Sequence, residues 1–81
     1  MDMLQSGEEI AGKREQNRIR NRRAILHAAR ECFRERGYEN STIRDIVRRT
    51  GLAAGTFYNY FSSKQDIFAA LLTDFLTNLN N

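Results

Sequence analysis

Apolar residues recur along the chain in four blocks, and each block carries a helical period rather than the alternation of a strand. From about Arg18 to Arg36, the residues Ile25, Ala29, Cys32 and Phe33 fall at i, i+4, i+7 and i+8, with Leu26 and Ala28 beside the stripe. Arginines fill the outer face of that helix. Gly37 can take the left-handed conformation that ends a helix at low cost, and Tyr38 follows as a hydrophobic clasp. A second helix is predicted over about 42–49. Thr42 is its N-cap, Asp45 gives a shortened capping box, and Ile43, Ile46 and Val47 form the stripe it buries. Gly51 ends it, Leu52 plugs the turn, and a third short helix over about 53–60 turns Phe57 and Phe61 inward. Ser63 and Asp66 then open a fourth helix over about 63–79. Its broad apolar face holds Ile67, Phe68, Leu71, Leu72, Phe75, Leu76 and Leu79.

The second and third helices are too short to persist alone in water, so the longer first and fourth must brace them. Two short helices joined by a tight glycine turn and held this way describe a helix-turn-helix. The expected fold class is therefore all-α: a three-helix bundle with a fourth helix leading out of it. A flexible basic leader is expected over residues 1–17 and the folded domain over 18–81.

Composition sharpens this outline at a few points. The 81 residues contain no proline, which suits helices with short connections. The net charge of +3 conceals an uneven distribution. Residues 13–36 hold nine Lys/Arg against three Glu, whereas residues 1–12 hold three acids and no base. Basic charge gathered in one half suits a polyanionic partner, although arginines paired with glutamates on a solvated face give the same count. Cys32 is the lone cysteine, so it forms no internal disulfide, and it reads as a core residue. His27 lies in mid-helix and reads as a surface or boundary residue rather than a catalytic one. With no glycine-rich phosphate loop and no paired carboxylates, no catalytic residue, cofactor or metal is expected. No apolar run approaches a bilayer-spanning length and no signal pattern opens the chain. A cytoplasmic protein that does not enter a membrane is the expectation.

The stretch from Thr42 to Lys64 carries the chemistry. Ala54 and Gly55 are small enough for backbone to approach a groove closely, with amides free to meet phosphates. Thr56, Asn59 and Tyr60 lie off the Phe57–Phe61 face. Asn59 can pair with a base edge, and Tyr58 and Tyr60 can donate to phosphate oxygens. Arg44 is long enough to reach a guanine. Lys64 opens the fourth helix, where the helix dipole disfavours a cation, so an external phosphate would explain it. Taken singly, each has a plainer reading. A Tyr-x-Tyr pair on a short helix commonly packs, and an arginine is commonly solvated.

From about Arg22 to Leu72 the chain resembles the N-terminal domain of the tetracycline-repressor (TetR) family of bacterial regulators. The matching elements are RRAILHAARECFRERGYENSTIRDIV and TGLAAGTFYNYFSSKQDIFAALL, above all the Gly-Thr-Phe-Tyr-x-Tyr-Phe-x-x-Lys string. The resemblance implies a three-helix DNA-binding unit whose third helix enters the major groove. By position it assigns DNA contacts to Thr42, Arg44, Ala54, Gly55, Thr56, Tyr58, Asn59, Tyr60 and Lys64. Position 53 departs from the family's usual capping serine, and Ala54 replaces a commonly polar or basic side chain. The family also implies a longer regulator: a homodimer formed through a further domain, binding a palindromic operator in double-stranded DNA and released by a small-molecule effector. Lys13, Arg14 and Arg18 are further candidates for contacts to the DNA backbone or an adjacent minor groove. A helical protein-interaction module that docks through the apolar face of the fourth helix is the competing reading.

Overall fold

The computed structural model describes residues 2–79, with side chains from Gly12 onward. The outer limits of the expected segments, at residues 1 and 81, lie outside the described residues. Four helices follow in order: α1 (Asp2–Arg36), α2 (Ile43–Thr50), α3 (Ala54–Tyr58) and α4 (Lys64–Leu79).

Helix α1 begins far earlier than the expected start near Arg18, and the segment anticipated as a loose leader continues the helix. Its sequence is proline-free, and its three Glu and two Gln with Lys13 and Arg14 are good helix formers that outnumber Gly7 and Gly12. Extending an existing helix also avoids the cost of nucleating a new one. Helix α1 ends where the pattern placed it. Gly37 has φ +82° and its N–H bonds back to the Phe33 carbonyl at 2.9 Å. Asn40 Nδ2 donates to the Arg36 carbonyl, and the buried Ser41 hydroxyl donates to the Gly37 carbonyl at 2.8 Å. These two bonds satisfy carbonyls that the helix end and turn leave open.

Every helix contributes to one core. Ile25, Leu26, Ala28, Ala29 and Cys32 come from α1, Ile46 from α2, Phe57 from α3 and Ile67 from α4. Ile25, Ala29, Ile46, Phe57 and Ile67 are fully enclosed. Beside the core, Phe33, Tyr38 and Phe68 form an aromatic trio with ring centroids 5.2–6.3 Å apart. Tyr38 packs on Phe33 as the C-cap pattern implies, and it also reaches Phe68 and so ties the α1 terminus to α4.

Helix α4 fills its expected role only in part. Ile67 is buried and Leu71 half-buried, but Phe68, Leu72, Phe75, Leu76 and Leu79 are each about half exposed or more. The chain described here offers α1 as the only long surface for α4 to cover, and one helix cannot shield a face that broad.

Candidate nucleic-acid interface

The interface is built on α2 and α3. Thr42 takes an extended conformation, and its hydroxyl accepts the Asp45 N–H at 3.1 Å, as the capping pattern requires. The Thr42 hydroxyl, with Arg36 and Arg48 close by, holds the Asp45 carboxyl below its ordinary value. Two ion pairs then fasten α2 to α1. Arg49 meets Glu35 in a two-pronged contact, with N–O distances of 2.7 and 3.2 Å, and Arg36 meets Asp45 at 3.0 Å. The hydrogen bond and charge of Arg49 lower the Glu35 carboxyl in turn. At the far end, Gly51 has φ +75° and turns the chain. The Thr50 hydroxyl donates to the Val47 carbonyl at 2.6 Å and accepts the Leu52 N–H at 3.1 Å, which fixes that turn.

Helix α3 is shorter than expected. It ends at Tyr58, and Asn59 and Tyr60 form a tighter turn through bonds to the Thr56 and Phe57 carbonyls. Asn is a weak helix former, and Asn59 is where the α-helical ladder gives way. The start is also weak, since Ala53 supplies no side-chain cap. Phe57 alone sinks completely into the core from this helix, with Tyr60 and Phe61 packed partly against it.

The predicted contact residues divide on this frame. Thr42, Arg44, Ala54, Gly55, Tyr58 and Asn59 are exposed and lie on one continuous stretch of α2, the turn and α3. Thr56 is half-buried. Tyr60 is half-buried as well, and its hydroxyl accepts a bond from Asn21 Nδ2 of α1 at 3.2 Å. Lys64 is engaged within the domain: its ammonium donates to the Tyr38 carbonyl at 2.7 Å and the Glu39 carbonyl at 3.4 Å, and lies 4.3 Å from the Tyr38 ring centre. A cation at the head of α4 therefore has an internal reason, the open carbonyls of the α1–α2 connection, and needs no phosphate to account for it. Lys13, Arg14 and Arg18 are exposed on α1, one or more turns outside the core.

Two residues escaped the sequence reading. Arg48 is exposed one turn after Arg44 on the same side of α2, and the i, i+4 spacing could have shown it. Neither arginine enters an ion pair among the described residues, whereas Arg22, Arg34, Arg36 and Arg49 all do. The other is Asn21, whose bond to Tyr60 joins residues 39 positions apart and leaves no local signal. Among the described residues no helix is long and apolar enough to cross a membrane, and no cluster of metal-ligating side chains occurs.

Comparison with known proteins agrees with this geometry. A family model described as bacterial regulatory proteins, tetR family, matches residues 25–71, from the middle of α1 to the middle of α4. An uncharacterised HTH-type transcriptional regulator of Bacillus subtilis, YvdT, is 46% identical over 54 residues, covering 67% of this chain and 28% of its own length. The HTH-type transcriptional repressor AcnR of Corynebacterium efficiens is 40% identical over 53 residues, covering 65% of this chain and 28% of its own. The chain thus spans less than a third of the length of these curated relatives. No solved structure gave a significant match. With the match running through the whole helix-turn-helix and both of its braces, the chain belongs to the tetR family of bacterial regulatory proteins and holds that family's DNA-binding regulator domain.

Proposed function

We propose that this chain is the operator-reading headpiece of a cytoplasmic transcriptional repressor that acts as a homodimer on a palindromic site and is released by a small-molecule effector. The observation that carries the DNA contact is the division of its cations and exposed surface. Arginines that face neighbouring helices are consumed in ion pairs, while Arg44 and Arg48 have no ion-pair partner among the described residues and stand beside an α3 whose outer surface is small and open. In this reading Ala54 and Gly55 let the backbone close on the major groove, and Thr56 and Asn59 meet base edges. Thr42, Tyr58 and the remaining ammonium proton of Lys64 hold phosphates. Tyr60 acts chiefly by setting the end of α3. Dimer, effector and repression rest on the family and on relatives such as AcnR, which is named a repressor. Two identical headpieces facing one duplex would read half-sites about one helical turn apart.

A second role attaches to α4. Its half-exposed Phe68, Leu72, Phe75, Leu76 and Leu79 give the domain an apolar face suited to docking another protein surface. The two readings separate in one experiment, a heteronuclear NMR titration of the labelled chain with a mixed-sequence duplex at low salt. Shifts gathered at Thr42, Arg44, Arg48 and residues 54–60 that fade as salt rises support the headpiece. Silence there, with concentration-dependent broadening along α4, would replace it with the docking module.

A further inference from the structure

We infer that the extended part of α1 is a second DNA-binding element, in which Arg14 and Arg18 track the phosphates flanking the site that α3 occupies. This rests on the headpiece reading above. The geometry starts from the Asn21–Tyr60 bond, which fixes the root of the extension against the C-terminal edge of α3. In a helix of 3.6 residues per turn, Arg14 lies within about 20° of Asn21 around the axis and Arg18 within about 60°. Arg14 therefore extends the face that Asn21 turns toward α3, and Arg18, about 40° from Arg14, stands between that face and the direction of Arg22, beyond the end of the core. Gln16, Ile19, Arg20 and Arg23 together line a different groove on the same helix, on the side away from Tyr60. Arg22 is taken up by Asp74 of α4 at 3.3 Å.

Spacing fits the partner. Four residues of helix separate the two guanidinium-bearing positions by ~6 Å along the axis, and a DNA strand presents a phosphate about every 3.4 Å of its own axis. Two arginines on one face can thus meet the backbone of one strand without any base being read. Neither has an ion-pair partner among the described residues, so no internal bond has to break for them to engage. Lys13 falls about 80° to the other side of Asn21 and stands at the margin of this face. The apolar content of the extension's described surface is a single exposed residue, Ile19, which argues against a membrane as the polyanion.

The test is the salt dependence of binding by the full 81-residue chain to a fluorescent 30-base-pair mixed-sequence duplex, followed by anisotropy. Arg14→Gln/Arg18→Gln is compared with Arg20→Gln/Arg23→Gln, which removes the same charge from the other face. Helix content by circular dichroism serves as the control for folding. The first pair is expected to reduce the slope of log K against log salt by about 1.8, and the second by less than half of that. Equal losses from the two pairs would mean general net charge rather than a tracking face and would overturn the inference. A silent first pair, with binding still lost on Arg44→Ala, would overturn it while leaving the headpiece reading intact. Absence of DNA binding by the unaltered chain would overturn both.

Discussion

The two halves of the helix-turn-helix are built on opposite principles. Helix α2 is secured from outside and at its ends. It has a Thr42 cap, two ion pairs to α1 and a turn locked by the Thr50 hydroxyl. Helix α3 has none of these. It runs for five residues, starts without a side-chain cap and offers alanine and glycine at its head. What holds it is Phe57 beneath, fully enclosed, with Tyr60 tied to Asn21 at its end. Caps and salt bridges occupy a helix's polar surface, whereas a buried anchor leaves that surface free. The helix proposed to enter the groove is therefore the one fastened from below, and the helix that positions it gives part of its polar surface to the fold.

Removing the anchor is the strongest way to break that contrast. Phe57→Ala is expected to cost about 3–5 kcal/mol, since a fully buried aromatic leaves a cavity that five residues of helix cannot collapse to fill. In a domain whose whole stability is of order 5–15 kcal/mol, most cooperative unfolding should be lost by urea denaturation. Phe57→Leu should keep the chain folded at reduced midpoint. If Phe57→Ala cost no more than about 1 kcal/mol, the anchor description of α3 would be wrong.

The contrast was only partly legible in the sequence. Periodicity and capping residues are local signals, and they located Gly37, Thr42, Gly51 and Ser63 correctly as helix ends. Asp66 N–H does bond the Ser63 hydroxyl at 3.1 Å, as that pattern required. The absent cap at Ala53 was also visible. What the sequence could not show were pairings across helices: Glu35 with Arg49, Arg36 with Asp45, Lys64 with the Tyr38 carbonyl. Each depends on how α1 is placed against its neighbours, which no single-helix pattern encodes. The internal acceptors of Lys64 lie 25 and 26 residues away, beyond the reach of any local pattern. The start of α1 was missed for a different cause. Apolar periodicity marks where a helix is buried, and over residues 13–20 α1 is helical with every side chain exposed.

Caps offer the next test, because they can be exchanged between the halves. Thr42→Ala should destabilise the domain by about 1 kcal/mol, with the Asp45 N–H left to solvent. Ala53→Ser should do the reverse. Its backbone, at φ −63° and ψ 145°, already has the extended shape an N-cap needs, and the gain should be on the order of 0.5–1 kcal/mol. Thermal melts of the two variants and the double variant would show whether the changes add. A destabilising Ala53→Ser would mean that the bare start of α3 is itself required by the packing.

The smallest effect concerns the outer fastening of α2, and pH can read it separately. Glu35 has its carboxyl lowered from the ordinary 4.5, chiefly by the hydrogen bond and charge of Arg49. A group depressed on folding adds stability that is fully present above its unfolded value and is lost as pH falls through its folded one. The pair should therefore help near neutral pH and fade below about 4.5. Glu35→Gln removes the titration, so its melting temperature should fall below the parent's at pH 7 and converge with it by about pH 3. Both side chains meet solvent and added salt screens them, so the shift at pH 7 should be smaller than that of Thr42→Ala and should shrink further at 1 M salt. A gap between the two proteins that stayed the same at pH 7 and pH 3 would show that Glu35 contributes through its packing rather than its charge. Helix α2 would then be held, as α3 is, by what lies beneath it.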